Sequence, residues 1–361
     1  MTIFEHRATG AARRRLAAAV AAGLLLGIGF ASAASAATYH LVQYPNAGYN
    51  GIHAQTQAAR SSIDMEMYEL ADPTEENDLV AAERRGVKVR VLLDSAYSGR
   101  RVNAPAYRLL HSAGVPVRWD PRGTIYHIKT TVFDNTTADI SSANLTQRYY
   151  PTSRDAEIVD TNPAQVAAIV RTFNADWDDR SGPARATQAP GLVWSPGAQP
   201  AMVQQIERAQ RSVYFESEEL SDRAVYDALA ADARRGVACA VVMNASPRWN
   251  RAFQAVTAAG CKVHVFPASR HGLYIHEKVI LDDAGTSMAS MLLGSTNASY
   301  YSLDRNRELS LELDATEAPQ AIQSAADTFA YDYAHGTTWT PTASRSRYRR
   351  HRSYARRWRR W

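Results

Sequence analysis

Apolar and polar positions along the chain change period several times. Short runs of aliphatic and β-branched residues, SIDMEMY at 62–68, VKVRVLLD at 87–94 and VPVRW at 115–119, read as strands. Between them lie segments of helical spacing that close on glycine, AAERRG at 81–86 and APAYRLLHSAG at 104–114. Glycine stops a helix because its backbone turns left-handed at little steric cost. Strands alternating with helices predict an α/β fold with a largely parallel sheet covered on both faces.

The whole order then recurs. RSSIDMEMYEL at 60–70 aligns with QRSVYFESEEL at 210–220, and AAERRGVKVRVLLD at 81–94 with ADARRGVACAVVMN at 231–244, both at an offset of 150. SAGVPVRW at 112–119 aligns with AAGCKVHV at 258–265, and TFNADW at 172–177 with TFAYDY at 328–333. The pattern predicts two tandem α/β/α sandwich units related by a pseudo-twofold, residues 38–180 and 191–337, joined by the Pro-, Gly- and Ala-containing stretch 181–190. A site at their junction is built twice, once from each unit.

Composition changes this picture only at the ends. Of 361 residues, 45% are hydrophobic and 21% charged, which excludes global disorder and a coiled coil. The net charge of +5 is uneven: the last 18 residues hold nine Arg and no acid, residues 1–37 carry +3, and the body between is left at −7. The basic balance therefore says nothing about nucleic-acid binding by the body. Arg13–Arg15, the apolar run Leu16–Phe30 and the small residues ASAASAA read as a secretory signal cleaved near Ala36 or Ala37, with a weak twin-arginine character. The expectation is an exported protein, extracellular or periplasmic. The Arg-rich tail 338–361, with Trp358 and Trp361, reads as a disordered patch for anionic surfaces. Cys239 and Cys261 stand where the first unit has Val89 and Val115; they read as small core residues, and the oxidising compartment also permits a disulfide.

The strongest chemical signal is duplicated. The first unit has HIKTTVFD with His127, Lys129 and Asp134, then Ser142 and Asn144, then RDAEIV with Glu157. The second has HEKVILDD with His276, Lys278 and Asp283, then Ser295 and Asn297, then RNRELS with Glu308. His and Lys two apart on a strand share a face. Two imidazoles, two ammonium groups, two Asn amides and the Ser142 and Ser295 hydroxyls around one point suit a tetrahedral phosphate anion. Two histidines also supply a nucleophile and a proton donor. Glu157 and Glu308 are expected to hold the second ring nitrogens, and Asp134 and Asp283 to cap turns. Glu66 and Glu216 are paired by the repeat without an evident role.

On these residues the chain resembles the phospholipase D superfamily, whose signature is HxKxxxxD, a Gly-Ser-x-Asn and a downstream Glu, present twice, over about 40–335. Ser141 stands where the family has Gly, while Gly294 keeps it; the first unit also reads Arg154–Asp155 against Arg305–Asn306. The resemblance implies a cofactor-free and metal-free phosphodiesterase working through a phosphohistidine, with His127 as nucleophile and His276 as acid and then base. No carboxylate cluster is evident that would argue for a metal.

The substrate is less legible. Tyr149–Tyr150 and Tyr300–Tyr301, repeated beyond each Asn, are candidates for the substrate rim, and Trp249, Arg270 and His271 for headgroup contact. An acidic body favours phospholipid or a membrane surface over a long polyanion. The expected function is hydrolysis or headgroup exchange on glycerophospholipids by a monomer. A secreted nuclease using the Arg tail, and a non-catalytic surface-binding protein, are the alternatives.

Overall fold

The computed structural model describes residues 38–341 apart from 97, 98, 122, 180, 268 and 270. The proposed signal, residues 342–361 of the Arg-rich tail and Arg270 therefore lie outside the described residues; the tail's first residues are not disordered as expected, because Thr338 pairs with His264 in an edge strand and Trp339 packs against the second lobe's core. Among those described, no helix is long and apolar enough to cross a membrane.

Each repeat folds around one mixed sheet. In the first lobe the strand order is Tyr39–Tyr44, Ser153–Asp160, Thr137–Ser141, Lys129–Phe133, Ser62–Met67, Lys88–Leu93, Val117–Trp119. The second lobe repeats it as Leu192–Ser195, Glu308–Asp314, Ser290–Gly294, Val279–Asp282, Ser212–Glu216, Ala238–Asn244, Lys262–Phe266, with Thr337–Thr338 added at the edge. The expectation of a largely parallel sheet holds only for the last three strands of each repeat's order. The other pairings along these two strand orders are antiparallel. The reason is connection length: Lys129–Phe133 and Thr137–Ser141 are joined by three residues, too few for a parallel crossover.

The helices Pro73–Arg84 and Arg223–Arg234 both stop before a glycine at φ 90°, Gly86 and Gly236, as the sequence predicts. Asp72 and Asp222 cap their first turns by accepting from Thr74 N and Val225 N. Outer helices cover the far face of each sheet and give each lobe its own core, one containing Met65, Leu79 and Leu110, the other Phe215, Leu229 and Phe253. A third core joins the lobes: Ile140, Ile158 and Phe173 pack in one cluster with Leu281, Leu311 and Phe329. The helices Pro163–Asp178 and Pro319–His335 contribute to this shared core, so the two repeats are fused along their inner faces. The stretch expected to be a linker is tied down as well. Ala184 N donates to Asp176 Oδ1 (2.7 Å) and Thr187 N to Thr172 Oγ1 (2.9 Å).

Cys239 and Cys261 are joined as a disulfide with Cα atoms 4.6 Å apart. Register explains the proximity: Ala240 pairs with Lys262 on neighbouring parallel strands, which sets the preceding residues side by side. Trp249 is buried in the second lobe's core and is not available to a headgroup, correcting that expectation.

Candidate active site

Both histidines sit at the seam between lobes, carried by segments stitched to the opposite sheet. Tyr126, just before His127, bridges to Arg307 of the second lobe, and Tyr274–Ile275, just before His276, pairs with Ser153–Arg154 of the first. Each ring is then held by a carboxylate from the other lobe. His127 Nδ1 donates to Glu308 Oε2 (2.8 Å), and His276 Nδ1 donates to Asp155 Oδ1 (2.6 Å). This leaves the Nε2 atom of each ring for chemistry. Lys129 Nζ donates to His127 O (2.6 Å) and Lys278 Nζ to His276 O. Each ammonium is thereby fixed beside its own histidine.

The partner of His276 differs from the one expected. Glu157 lies on the same strand as Asp155, one pleat further along, where it is buried against Tyr44 and Ser141. The sequence aligns Glu157 with Glu308, but the strand registers align Asp155 with Glu308. Tyr44 opposes Asp155 as Ser195 opposes Glu308. The true offset here is 153, the offset of the two Asn, and the counterpart of Arg154–Asp155 is Arg307–Glu308.

Ser142 and Ser295 stand behind these carboxylates instead of lining the phosphate space. Ser142 Oγ donates to Asp155 Oδ1 (2.7 Å) and accepts from Ala156 N (3.0 Å). Ser295 Oγ bonds both backbone groups of Leu309 (3.3 and 3.2 Å) and is fully buried. They brace the groups that brace the rings. Ser141 replaces glycine without crowding, its hydroxyl accepting from Ala143 N (2.9 Å). Gly294 has no such room: a Cβ there meets Leu309 O at 2.4 Å and Ser310 Cα at 2.5 Å.

Asp134 and Asp283 are structural. Asp134 accepts from the backbone N of Arg60, Ser61 and Ser62, and Asp283 from those of Gln210, Arg211 and Ser212. Each ties the hairpin after the catalytic strand to the start of the neighbouring strand.

Two further residues face the centre that lie outside the duplicated motifs. Glu218 Oε2 lies 3.3 Å from Lys278 Nζ, 3.3 Å from Asn297 Nδ2 and 3.5 Å from His276 Nε2, while Tyr274 OH donates to its other oxygen at 2.7 Å. At the repeat-equivalent position, 150 residues earlier, stands Tyr68. Its ring meets that of His127 edge-on at 4.7 Å and underlies Lys129 Nζ at 4.7 Å. The offset itself was the available signal: two residues after the paired Glu66 and Glu216, the repeat puts a carboxylate in one lobe and a phenol in the other.

The electrostatics are correspondingly asymmetric. Burial, together with Lys129 and Lys278, pushes His127 well below the ordinary histidine value. Burial raises its partner Glu308 to about 7, against the pull of Lys129. Burial also acts to raise Asp155, but His276 and Lys278 overcome it and hold the carboxyl well below its usual range. Burial lowers Lys129 to about 7.

Glu66 and Glu216 belong to a second duplicated device. Arg154 of the first lobe crosses to Asp332 of the second (Nε–Oδ2 2.6 Å, Nη2–Oδ1 3.0 Å). Arg307 of the second crosses to Asp176 of the first (Nε–Oδ2 2.8 Å). Glu216 and Glu277 gather with Asp332, their oxygens within 4.8 Å of one another, so a carboxylate cluster exists that the sequence did not reveal. The Arg154 guanidinium supplies its cation, and burial keeps Glu277 raised to about 8 and Glu216 well above its ordinary value.

These buried carboxyls set a pH dependence of stability. Burial lifts Glu157 to about 7, and Glu75, Glu277 and Asp282 to about 8, from unfolded values near ~4. Between those limits the folded chain binds more protons than the unfolded one, so stability falls as pH rises from about 5 to 7. His127, pushed below its ordinary value, opposes this below about 6.5 as one group against four carboxyls, and Lys129, lowered to about 7, opposes it only above that value. The melting temperature is expected to be higher at pH 5.5 than at pH 7; calorimetry showing the reverse order would contradict the assignment.

Of the rim candidates, Tyr300 and Tyr301 are exposed, 47% and 67%, at the start of the helix Tyr300–Asp304. Tyr149 is half-buried and senses Glu69 and Glu218. Tyr150 is turned away: its OH donates to Asp72 Oδ2 (2.7 Å) and its ring stacks on Tyr49. His271 lies on an exposed loop.

Two sheets fused by a pseudo-twofold, with a His–Lys pair from each converging on one seam, define a two-lobed phospholipase D-like fold. The family described as "Cardiolipin synthase, PLD-like domain" matches residues 52–177 and 202–332, more than half of the chain, and the protein belongs to it and to the phospholipase D superfamily. Cardiolipin synthase A of Cronobacter sakazakii is 28% identical over 319 residues, covering 72% of this chain and 62% of that one. Mitochondrial cardiolipin hydrolase of Xenopus laevis is 25% identical over 138 residues, covering 38% of this chain and 64% of the relative. The chain spans less than two thirds of the length of these relatives. The crystal structure of phosphatidylserine synthase from Haemophilus influenzae shares the fold with a TM-score of 0.66 at 14% identity, covering 83% of this chain and 87% of that one.

Proposed function

We propose that the chain is an exported phospholipase D-type phosphodiesterase that hydrolyses glycerophospholipids, or exchanges their headgroups, through a phosphohistidine. The observation that carries this reading is the crossed pair of clamped rings, His127 on Glu308 and His276 on Asp155, beside two lysines. His127 Nε2 attacks phosphorus and forms a P–N bond as the P–O bond to the leaving alcohol breaks; His276 Nε2 gives that oxygen its proton. His276 then takes a proton from water or a second alcohol, whose oxygen attacks phosphorus and releases His127 Nε2. The asymmetry of the carboxylates supports this order. A ring kept neutral is a nucleophile, while an ionised Asp155 stabilises the imidazolium an acid requires. Lys129 and Lys278 neutralise the phosphoryl oxygens, the work a metal ion does elsewhere. Relatives named for cardiolipin and phosphatidylserine chemistry and the exposed Tyr300 and Tyr301 support a lipid substrate. The disulfide suits export to an oxidising compartment.

The test is purified protein lacking residues 1–37 with labelled phosphatidylcholine, and separately with plasmid DNA, each in excess chelator. Release of choline and phosphatidic acid that is unaffected by chelator is the expected result. Cleavage of DNA alone would transfer the reading to a nuclease. Activity on a soluble diester abolished by chelator and restored by Mg²⁺ or Zn²⁺ would overturn the metal-independent mechanism.

A further inference from the structure

Glu218 presents a carboxylate where the substrate's own anion has to bind. One of its oxygens is surrounded by Lys278 Nζ, Asn297 Nδ2 and His276 Nε2 at 3.3, 3.3 and 3.5 Å. These are three of the donors a phosphoryl oxygen would use. A phosphodiester and a carboxylate cannot both sit against that trio, because like charges in one partly buried space repel strongly. The three distances are long beside the ~2.7–2.9 Å of charge-assisted bonds, so the carboxylate is held loosely there. Its other oxygen is gripped by Tyr274 OH at 2.7 Å. The side chain is also 24% exposed, against 3% for Lys278 and 12% for His276, which leaves it a way out toward solvent.

We propose that Glu218 is a built-in anionic placeholder: it fills the phosphate-oxygen position while the site is empty, and the substrate phosphate displaces it. This rests on reading the site as phosphodiester-binding. The placeholder has a physical purpose. A buried ammonium is costly to leave without a close partner, and between turnovers the Glu218 carboxylate gives Lys278 one. It also sets a threshold, since only an anion that makes better contacts with all the donors replaces it. The first lobe needs no second one, and there the equivalent residue is the neutral Tyr68.

The probe is tungstate, a tetrahedral anion that resists hydrolysis. Its binding is measured by calorimetry to the protein lacking residues 1–37 and to its Glu218→Gln and Tyr274→Phe variants. Glu218→Gln is expected to bind tungstate at least about tenfold more tightly, a gain of ~1.4 kcal/mol. Tyr274→Phe, which only releases the anchor, should show a smaller gain, and it serves alone if Glu218→Gln does not fold. A crystal soaked in tungstate should show the Glu218 carboxylate away from Lys278. Equal or weaker binding by the variants, or Glu218 still bonded to Lys278 beside bound tungstate, overturns the placeholder and leaves the phosphodiesterase reading standing. No tungstate binding by any form overturns both.

Discussion

His276→Ala protein mixed with a p-nitrophenyl phosphodiester is expected to release close to one equivalent of p-nitrophenol in a burst and then stall, whereas His127→Ala shows no burst. The difference follows from what each ring contributes. Without His127 no P–N bond forms. Without His276 the nucleophile remains, and the missing acid matters little for a leaving group that departs unprotonated. General acid–base assistance is ordinarily worth ~10²–10⁴ in rate. That loss should reappear in the second step, where water must be deprotonated, and phosphoenzyme should accumulate. Rapid quench and acid-labile phosphate analysis read it directly. A burst from His127→Ala and none from His276→Ala would exchange the roles; phosphoenzyme in neither variant nor the parent would eliminate the covalent route.

The second large effect separates two neighbouring carboxyls. Asp155→Asn is expected to lower turnover by on the order of 10²–10⁴, within the range for a misoriented catalytic imidazole, while Glu157→Gln leaves turnover within about threefold. Asp155 accepts from His276 Nδ1 at 2.6 Å and its ionised form favours a charged ring. An asparagine can turn its amide toward Nδ1, which puts the neutral ring's proton on the wrong nitrogen and withdraws the stabilising charge. Glu157 bonds Tyr44 and Ser141 and touches neither ring. Its replacement should instead reduce the fall in melting temperature between pH 5.5 and 7. Equal activity losses in the two variants would contradict this division of roles between Asp155 and Glu157.

That alignment shows where sequence reasoning reaches its limit. The repeat, its elements and both His–Lys pairs were legible because offsets near 150 are sustained over many residues. The partner carboxylate was not, because Glu157 matches Glu308 by residue type while Asp155 matches it by register. A two-residue slip keeps the same strand face, so periodicity cannot detect it. The offset of 153 shared by Asn144 and Asn297 was the clue available. Glu218 was missed for a different reason: the repeat is broken at that position, and a search for likeness discards unlike pairs. The mixed sheet was misjudged because a strand alternating with helices and a strand in a tight hairpin have the same apolar pattern. Trp249 was misplaced because a loop next to a short helix gives no sign of the cavity its ring fills.

The crossed anchors carry an implication for how such a chain came about. Each lobe supplies the carboxylate for the other's histidine and the arginine for the other's acid, an arrangement that two identical subunits about a true dyad would also produce. In such a homodimer, positions 68 and 218 would necessarily be the same residue, giving two tyrosines or two glutamates at one seam. Joining the copies into one polypeptide removes that constraint. One half can then drift toward a neutral pocket and the other toward a charged one without either change being imposed on its twin. Tyr68 opposite Glu218, and Glu308 opposite Asp155, are what that freedom has produced.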